Sequence, residues 1–243
     1  MVDIVIPCHN AYKYSRQCVK SIIQNTHCKY KIIIVDNGST DETKDWSYIK
    51  VRNEENLGFP KAINQGIESG DSEYICILNN DTIVTPYWLT RLLSHIENKK
   101  ADIVSPCSNY VANRQMVALD IYKNQKELDA IADKFHEDNK GICEINEVLV
   151  GFCMLFKRDM IKDSGLFDEG YGIGNSEDFD FCMSAKQAGY KSGVARDVFI
   201  HHFGSVTFAL LGDNVWQRRL VESNTKRLEE KWGKRGVKIV WQS

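Results

Sequence analysis

The chain has no run of apolar residues approaching the roughly 20 that a membrane-spanning helix needs, so no spanning segment is expected. It also lacks an excess of charge of one sign: 31 Lys and Arg stand against 33 Asp and Glu, a formal charge of −2. A nucleic-acid binder or a protein that coats anionic membranes would show a clear basic surplus. The opening residues Met1-Val2-Asp3-Ile4 carry no basic segment ahead of an apolar core, and no secretion signal is expected. None of the eight cysteines, Cys8, Cys18, Cys28, Cys76, Cys107, Cys143, Cys153 and Cys182, forms a CxxC pair, which argues against a zinc ribbon or a thioredoxin-like motif. Several sit in apolar segments, as Cys76 does in Tyr-Ile-Cys-Ile-Leu, where a thiol behaves as a small hydrophobe. That usage points to a reducing, cytoplasmic compartment. No internal repeat or low-complexity linker divides the 243 residues, and a single domain over 1–243 is expected. A chain of this size buries about 70% of its unfolded surface and needs no disulfide or metal to fold.

What is present alternates between two periodicities. Residues 2–7 are a short apolar run closed by Pro7, and residues 31–35 read Lys-Ile-Ile-Ile-Val. Residues 74–78 form a third such run, with a shorter one around Val51. Between them, residues 14–24 and 58–68 carry apolar side chains at helical spacing. Pro86 is expected in the first turn of a helix over 87–97, followed by a strand at Ile103-Val104. Near-continuous apolar strands separated by helices predict an α/β fold with a mostly parallel central sheet covered on both faces. Further on, helices are expected near 126–135, 175–189 and 214–232, and strands over 148–156, 191–195 and 198–202. In parallel sheets ligands bind at the carboxyl ends of the strands. Here three such ends carry polar clusters: Pro7-Cys8-His9-Asn10, Asp36-Asn37-Gly38-Ser39 and Asn79-Asn80-Asp81.

Each cluster also has a plain reading. Asp81 at a strand tip suits a divalent cation shared with a substrate diphosphate, and the same residues suit a polar turn. Glu177-Asp178-Phe179-Asp180 suits a first helical turn, with Asn175 capping against Asp178. It also suits a general base whose pKa is raised by crowding and burial. His201 and His202 fall on one strand and point to opposite faces, so one of them at most serves a shared site. The loop 56–66 is neither GxGxxG nor a P-loop, which removes the dinucleotide and NTPase signatures. Its Gly58 would let backbone N–H groups approach a phosphate, and Gly66 would allow close packing. Trp88, Phe152, Phe167 and Tyr171 either line a sugar or acceptor path or pack the core.

The order of these pieces resembles family 2 glycosyltransferases. Ile4-Val5-Ile6-Pro7-Cys8-His9-Asn10 is similar to the family's opening strand, and Ile33-Ile34-Val35-Asp36-Asn37-Gly38-Ser39-Thr40-Asp41 to its second-strand motif. Leu78-Asn79-Asn80-Asp81-Thr82 is similar to its metal motif. Gly165-Leu166-Phe167-Asp168-Glu169, Glu177-Asp178-Phe179-Asp180 and Ala188-Gly189-Tyr190 are similar to its acceptor-side half. The resemblance covers about residues 2–210. It implies a Rossmann-like GT-A fold, with a nucleotide-sugar half over 1–105 and an acceptor half with a C-terminal helix over 106–243. It implies donor contacts from Pro7, His9, Asn10, Asp36, Gly58, Asn64, Asn79 and Asn80, with Asp36 on the base. It implies metal contacts, for Mn²⁺ or Mg²⁺, from Asp81 and from His201 or His202, the choice between the two left open. Asp178 would be the catalytic base, with Glu177 beside it.

The activity implied is inverting transfer from a UDP- or dTDP-sugar to a hydroxyl of a glycan, glycoprotein or lipid-linked acceptor, in the cytoplasm or peripherally at the inner face of a membrane. Asn79 departs from the family's Asp-x-Asp pattern in a way that favours a rhamnosyltransferase-like subgroup. A family-like module that binds sugar nucleotide without turnover is the alternative. A sugar-nucleotide pyrophosphorylase would want a Gly-rich loop with a basic residue after the first strand, where His9-Asn10-Ala11-Tyr12 stands. At this length little is left over for an anchor or second module, while a homo-oligomer or one module of a larger enzyme stays open.

Overall fold

A computed structural model describes residues 1–111, 113–204, 206 and 214–242. β1 (Val2–Cys8) is buried at all seven positions, as a central strand covered on both faces must be. It pairs in parallel with β2 (Tyr30–Asn37), with Ile4 opposite Ile32. Between them the chain forms α1 (Tyr12–Asn25), whose open first turn receives Asp41 Oδ2 on the Tyr12 amide at 3.0 Å. β3 (Ile49–Asn53) adds to the outside of β2. α2 (Phe59–Glu68) then crosses over to β4 (Tyr74–Leu78), which lies parallel on the other side of β1. Side chains alternate along β1. Ile4 and Ile6 meet Cys18 and Ile22 of α1, while Val5 meets Ile63 and Ile67 of α2. Gly66 lets α2 come down on Val5, since a Cβ there would sit 2.3 Å from Val5 Cγ1.

After β4 come β5 (Thr82–Val84), α3 (Trp88–Glu97), β6 (Ile103–Cys107), α4 (Gln125–Asn139), β7 (Cys143–Ile145) and β8 (Cys153–Lys157). α5 (Ile161–Ser164), α6 (Glu177–Gln187), β9 (Ser192–His202) and α7 (Asn214–Gln242) complete the order, with α7 kinked at Gly233. The strands run β3-β2-β1-β4-β8-β6-β9-β5, with β7 on β9. The expected parallel pairing holds through β3-β2-β1-β4 and for β6 with β9. β8 enters antiparallel between β4 and β6 and joins the two halves of the chain in one sheet.

Four local expectations need correction. The strand expected over 148–156 begins only at Cys153, because the Val150 and Gly151 amides serve side chains, Gln115 Oε1 at 2.7 Å and Asp178 Oδ2 at 2.8 Å, in place of a ladder. The two strands expected over 191–195 and 198–202 are one, β9. It tolerates Asp197 in its middle because His95 Nε2 at 2.6 Å and the Gly141 amide at 2.8 Å satisfy the carboxylate. Pro86 lies in the turn before α3. Asn175 does not cap α6, which starts after Ser176 at φ 77° with no side-chain cap. β5 and β7, three residues each, carry too little pattern to be seen in advance. All eight cysteines are unpaired thiols. No helix among the described residues is long and apolar enough to cross a membrane.

Asp3 ties the start of β1 to the end of β8. Its carboxylate is fully buried and accepts from Ser72 N at 2.8 Å, Ser72 Oγ at 2.6 Å and Arg158 Nη2 at 2.7 Å. Breaking a buried pair from one side leaves the partner charge uncompensated. Asp3→Ala is expected to lower stability by about 3 kcal/mol, read as a reduced urea midpoint at unchanged slope.

Candidate active site

The carboxyl ends of β1, β2 and β4 open into a cleft of about 230 Å³, whose walls include Pro7, His9, Asn37, Asn79, Asn80, Asp81, Glu177, Asp178 and His202. Pairing decides which acidic and imidazole groups meet there. β5 runs antiparallel to β9 with Thr82 opposite His202, so Asp81, one residue earlier, stands beside that histidine. Asp81 Oδ1 lies 3.1 Å from His202 Nε2. The ring is held edge and face: Nδ1 lies 2.8 Å from the Tyr110 carbonyl, and Phe152 stacks on it at 5.2 Å and 17°. The carbonyl accepts from Nδ1, so Nε2 is the ring nitrogen turned toward Asp81 and the cleft. Asn79 Nδ2 is 3.5 Å from the same Nε2, and Asn79 Oδ1 is buried with no hydrogen-bond partner among the described residues.

A carboxylate oxygen, an imidazole nitrogen and an orphaned amide oxygen form a donor set that fits Mg²⁺ or Mn²⁺. Among the described residues no cluster of three or more His, Cys, Asp or Glu stands at metal spacing. The protein would therefore supply Asp81 and His202, with Asn79 as a neutral third donor, and leave positions for phosphate oxygens and water.

Across the cleft, α6 begins with Glu177 and Asp178, both buried. Burial raises the Asp178 carboxyl above its ordinary range, opposed by two amides, Gly151 N on Oδ2 at 2.8 Å and Phe179 N on Oδ1 at 2.9 Å. Burial and then the neighbouring Asp178 charge raise Glu177, whose Oε2 has no partner among the described residues. The environments thus separate two adjacent acids: amide donors favour the anion at Asp178, and Glu177 is driven toward its neutral form. Gly151 is close-packed here, since a Cβ would lie 3.0 Å from that of Asp178.

The remaining candidates have other placements. His201 points away from the cleft, with Nδ1 2.5 Å from Tyr122 Oη, and burial pushes its pKa down to about 4. The two histidines therefore do face opposite sides, and His202 is the one in the cleft. Asp36 is fully buried and absent from the cleft wall; its carboxylate accepts from Arg52 and from the Ser39 amide at 3.1 Å. Asn10 orders the turn beside it, accepting from the Thr40 and Asp41 amides at 2.8 and 3.2 Å. Asn80 reaches the wall and donates to Ser15 Oγ at 2.8 Å. Gly58, at φ 92°, packs so tightly that a Cβ would meet Gly172 O at 1.9 Å. Asn64 clamps the loop after α5, donating to Phe167 O and accepting from Phe167 N at 2.9 and 3.1 Å. Of the four aromatics, Phe152 faces the cleft, and Trp88, Phe167 and Tyr171 are buried in packing.

The reading from sequence missed Asn37 as a hub. Its side chain donates to Asn56 Oδ1 at 2.8 Å and Gly58 O at 3.0 Å, and accepts from Asn53 Nδ2 at 2.9 Å and Leu57 N at 3.0 Å. It also missed Gly151, which acts through its amide and leaves no side-chain signal.

The family model described as "Glycosyl transferase family 2" matches residues 3–165. Glycosyltransferase GlyG of Streptococcus pneumoniae is 33% identical over 113 residues, 43% of this chain and 38% of its own length. Glycosyltransferase AglE of Haloferax volcanii is 25% identical over 219 residues, 83% of this chain and 66% of its own. An uncharacterized glycosyltransferase of Rickettsia typhi is 27% identical over 70% of this chain and 54% of its own length. The chain thus spans well short of the full length of such relatives. Among solved structures, GalNAc-T7 with UDP, GalNAc and Mn²⁺ superposes at TM-score 0.64 with 18% identity, covering 83% of this chain and 43% of that one. Residues 1–349 of TarS from S. aureus with UDP-GlcNAc superpose at 0.60 with 18% identity, covering 82% and 58%.

The raised carboxyls make a pH prediction. A carboxyl whose pKa is higher in the folded state stabilises the fold while protonated, and that contribution is lost as pH rises from the unfolded value of about 4 through the folded one. Glu177→Gln removes the larger share. The variant is expected to match the original near pH 4 and to exceed it increasingly toward pH 8, by about 1.4 kcal/mol per unit of raised pKa. Urea midpoints taken across that range read the difference. A constant offset at all pH values would show that Glu177 does not titrate in this way.

Proposed function

Since the chain belongs to glycosyl transferase family 2, with the GT-A fold of its structural neighbours, we propose that its cleft transfers a sugar from a nucleoside-diphosphate donor to an acceptor hydroxyl with inversion. The observation that carries this is the meeting, in one cleft, of Asp81, Asn79 and His202 on one wall with Asp178 and Glu177 on another. The first group suits the diphosphate end of a donor and the second suits the incoming hydroxyl. Asp178, kept anionic by two amides and raised in basicity by burial, takes the hydroxyl proton. That oxygen forms the new bond to the anomeric carbon, and the bond from that carbon to the diphosphate breaks with its electron pair on the leaving phosphate. A bound Mg²⁺ or Mn²⁺ supplies positive charge that balances the leaving group. Asp81 and His202, whose ring is fixed by the Tyr110 carbonyl and by Phe152, would hold that ion. Glu177, driven toward neutrality, adds no second negative charge beside the base.

The acceptor in this reading is a glycan, glycoprotein or lipid-linked hydroxyl. Eight unpaired thiols support a reducing, cytoplasmic setting, with lipid-linked acceptors reached peripherally. Asn79 in place of an acid supports the competing reading of a binding module without turnover, and it keeps a dTDP-sugar donor of the rhamnosyl type on the panel beside the UDP-sugars.

A thermal-shift panel of UDP- and dTDP-sugars with and without Mn²⁺ tests the donor site. At least one nucleotide sugar is expected to raise the melting temperature, more so with Mn²⁺. No shift from any of them would remove the donor site.

Initial rates of donor hydrolysis or transfer test the chemistry. Asp178→Asn is expected to cut kcat by about 10²–10⁴-fold while UDP affinity stays within a few-fold. In the unaltered chain the rate is expected to rise with pH along a limb above the value of about 3.9 for a free aspartate, because Asp178 must lose its proton first. Asp81→Ala should abolish the increment due to Mn²⁺. Donor binding with no turnover under any of these conditions would favour the binding module.

A further inference from the structure

The loop that delivers Glu177 and Asp178 is held in an uncommon conformation. Gly172, Gly174, Asn175 and Ser176 all have positive φ, 60°, 130°, 80° and 77°. The left-handed region disfavours residues with a Cβ, such as Asn175 and Ser176, and they remain there only where the surroundings over-determine them. The loop has no ladder of its own, so its carbonyls need partners from elsewhere. One side chain meets three of them. Asn224, on α7 and 5% exposed, directs Nδ2 at the carbonyls of Tyr171, Gly174 and Asn175 at 3.0, 2.8 and 3.0 Å. Three carbonyl acceptors around one atom identify it as the amide nitrogen.

The same helix face grips both ends of the loop. Arg227 bonds both oxygens of Asp168 at 2.9 Å, and its guanidinium lies 5.4 Å from the Tyr171 ring centre. Lys231 Nζ and Trp232 Nε1 each meet Asp180 at 2.7 Å, one turn beyond Glu177 in α6. Gly174 and Asn175 themselves form part of the cleft wall.

We propose that Asn224 is a positioning residue for the catalytic pair: by tying three loop carbonyls to α7 it fixes the backbone from which Glu177 and Asp178 enter the cleft. It touches no reacting atom, and it lies beyond the segment that carries the family match. The proposal rests on the reading of Asp178 as the base. In it, the Asp81–His202 end of the donor wall is held by β5, β9, the Tyr110 carbonyl and Phe152, whereas the acid pair depends on the loop that α7 ties.

Three variants and two readouts test this. Asn224→Ala removes the side chain, Asn224→Asp keeps its shape without N–H donors, and Asn224→Ser keeps one donor. With the nucleotide sugar that the unaltered chain hydrolyses fastest, Asn224→Ala and Asn224→Asp are expected to lower kcat by about 10–100-fold, the effect of a small misplacement. Affinity for UDP with Mn²⁺ should stay within about two-fold, because only the donor wall makes it. Asn224→Ser should fall between. The acid limb of the rate should move down toward the ordinary carboxylate range as water reaches the pair.

Independently of activity, amide exchange at residues 174–178 should quicken at least about tenfold in Asn224→Ala, with exchange in β1 and β4 unchanged. An Asn224→Asp variant with full kcat overturns the proposal, as does unchanged exchange in the loop. Loss of the folded state in all three variants also overturns it, since Asn224 would then support the whole chain. If the unaltered chain neither binds UDP with Mn²⁺ nor turns over any donor, the catalytic reading falls, while the exchange experiment still decides what Asn224 holds.

Discussion

Burying two adjacent carboxyl groups is the constraint around which the second half of this molecule is arranged. A buried anion with no partner is strongly disfavoured, and a second anion next to it more so. Glu177 and Asp178 occupy consecutive positions in the first turn of α6, and both are buried. The fold handles the conflict by treating them differently. Both accept from backbone amides, Asp178 from Gly151 and Phe179 and Glu177 from its own and that of Asn175, but Glu177 keeps Oε2 without a partner among the described residues and is raised further by the Asp178 charge. One carboxyl is thereby equipped to hold a charge and the other to stay neutral. The departure of residues 148–152 from the strand before Cys153 follows from the same need, because a Gly151 amide spent in a ladder could not face Asp178.

The opposite wall depends on strand order. Parallel strands β1, β2 and β4 end at one edge and bring Pro7, His9, Asn37 and Asn79 to the cleft. The pairing of β5 with β9 adds His202 from the far end of the chain. One wall is thus made mostly by the first hundred residues and closed by a histidine from β9. α7 and Asn224 act on the other wall, through a loop whose backbone would not hold its left-handed residues unaided.

Much of this is legible in the sequence. β1, β2 and β4 announce themselves as unbroken apolar runs, and their ends carry the polar clusters that do converge. Their helices follow from apolar spacing, with boundaries displaced by one or two residues: the distant Asp41 takes the Tyr12 amide at the start of α1, and Tyr87, at φ 61°, stands outside α3. The acids Asp81, Glu177 and Asp178 were visible as residue types in suggestive places. What escaped were functions carried by backbone or by distant partners. Asn37 works through residues 16 to 21 positions away, Gly151 through an amide, and Asn224 through carbonyls about 50 positions earlier. Asp36 and Asn64 have protein partners that no local pattern discloses, Arg52 and the Phe167 backbone.

The sequence alone determined the α/β alternation, the strand ends where polar groups gather, and the presence of an acid pair opening a helix. These are properties of short segments, set by side-chain periodicity and by the polarity of a few consecutive residues. Only the tertiary structure decided which histidine enters the cleft, which of two adjacent acids can carry charge, and which polar residues are consumed in holding the fold. The physical reason is that ionisation and hydrogen-bond capacity depend on what lies within about 3 Å of an atom. At that range the neighbours of Asp178, His202 and the loop before Glu177 come from strands and helices far away in the chain.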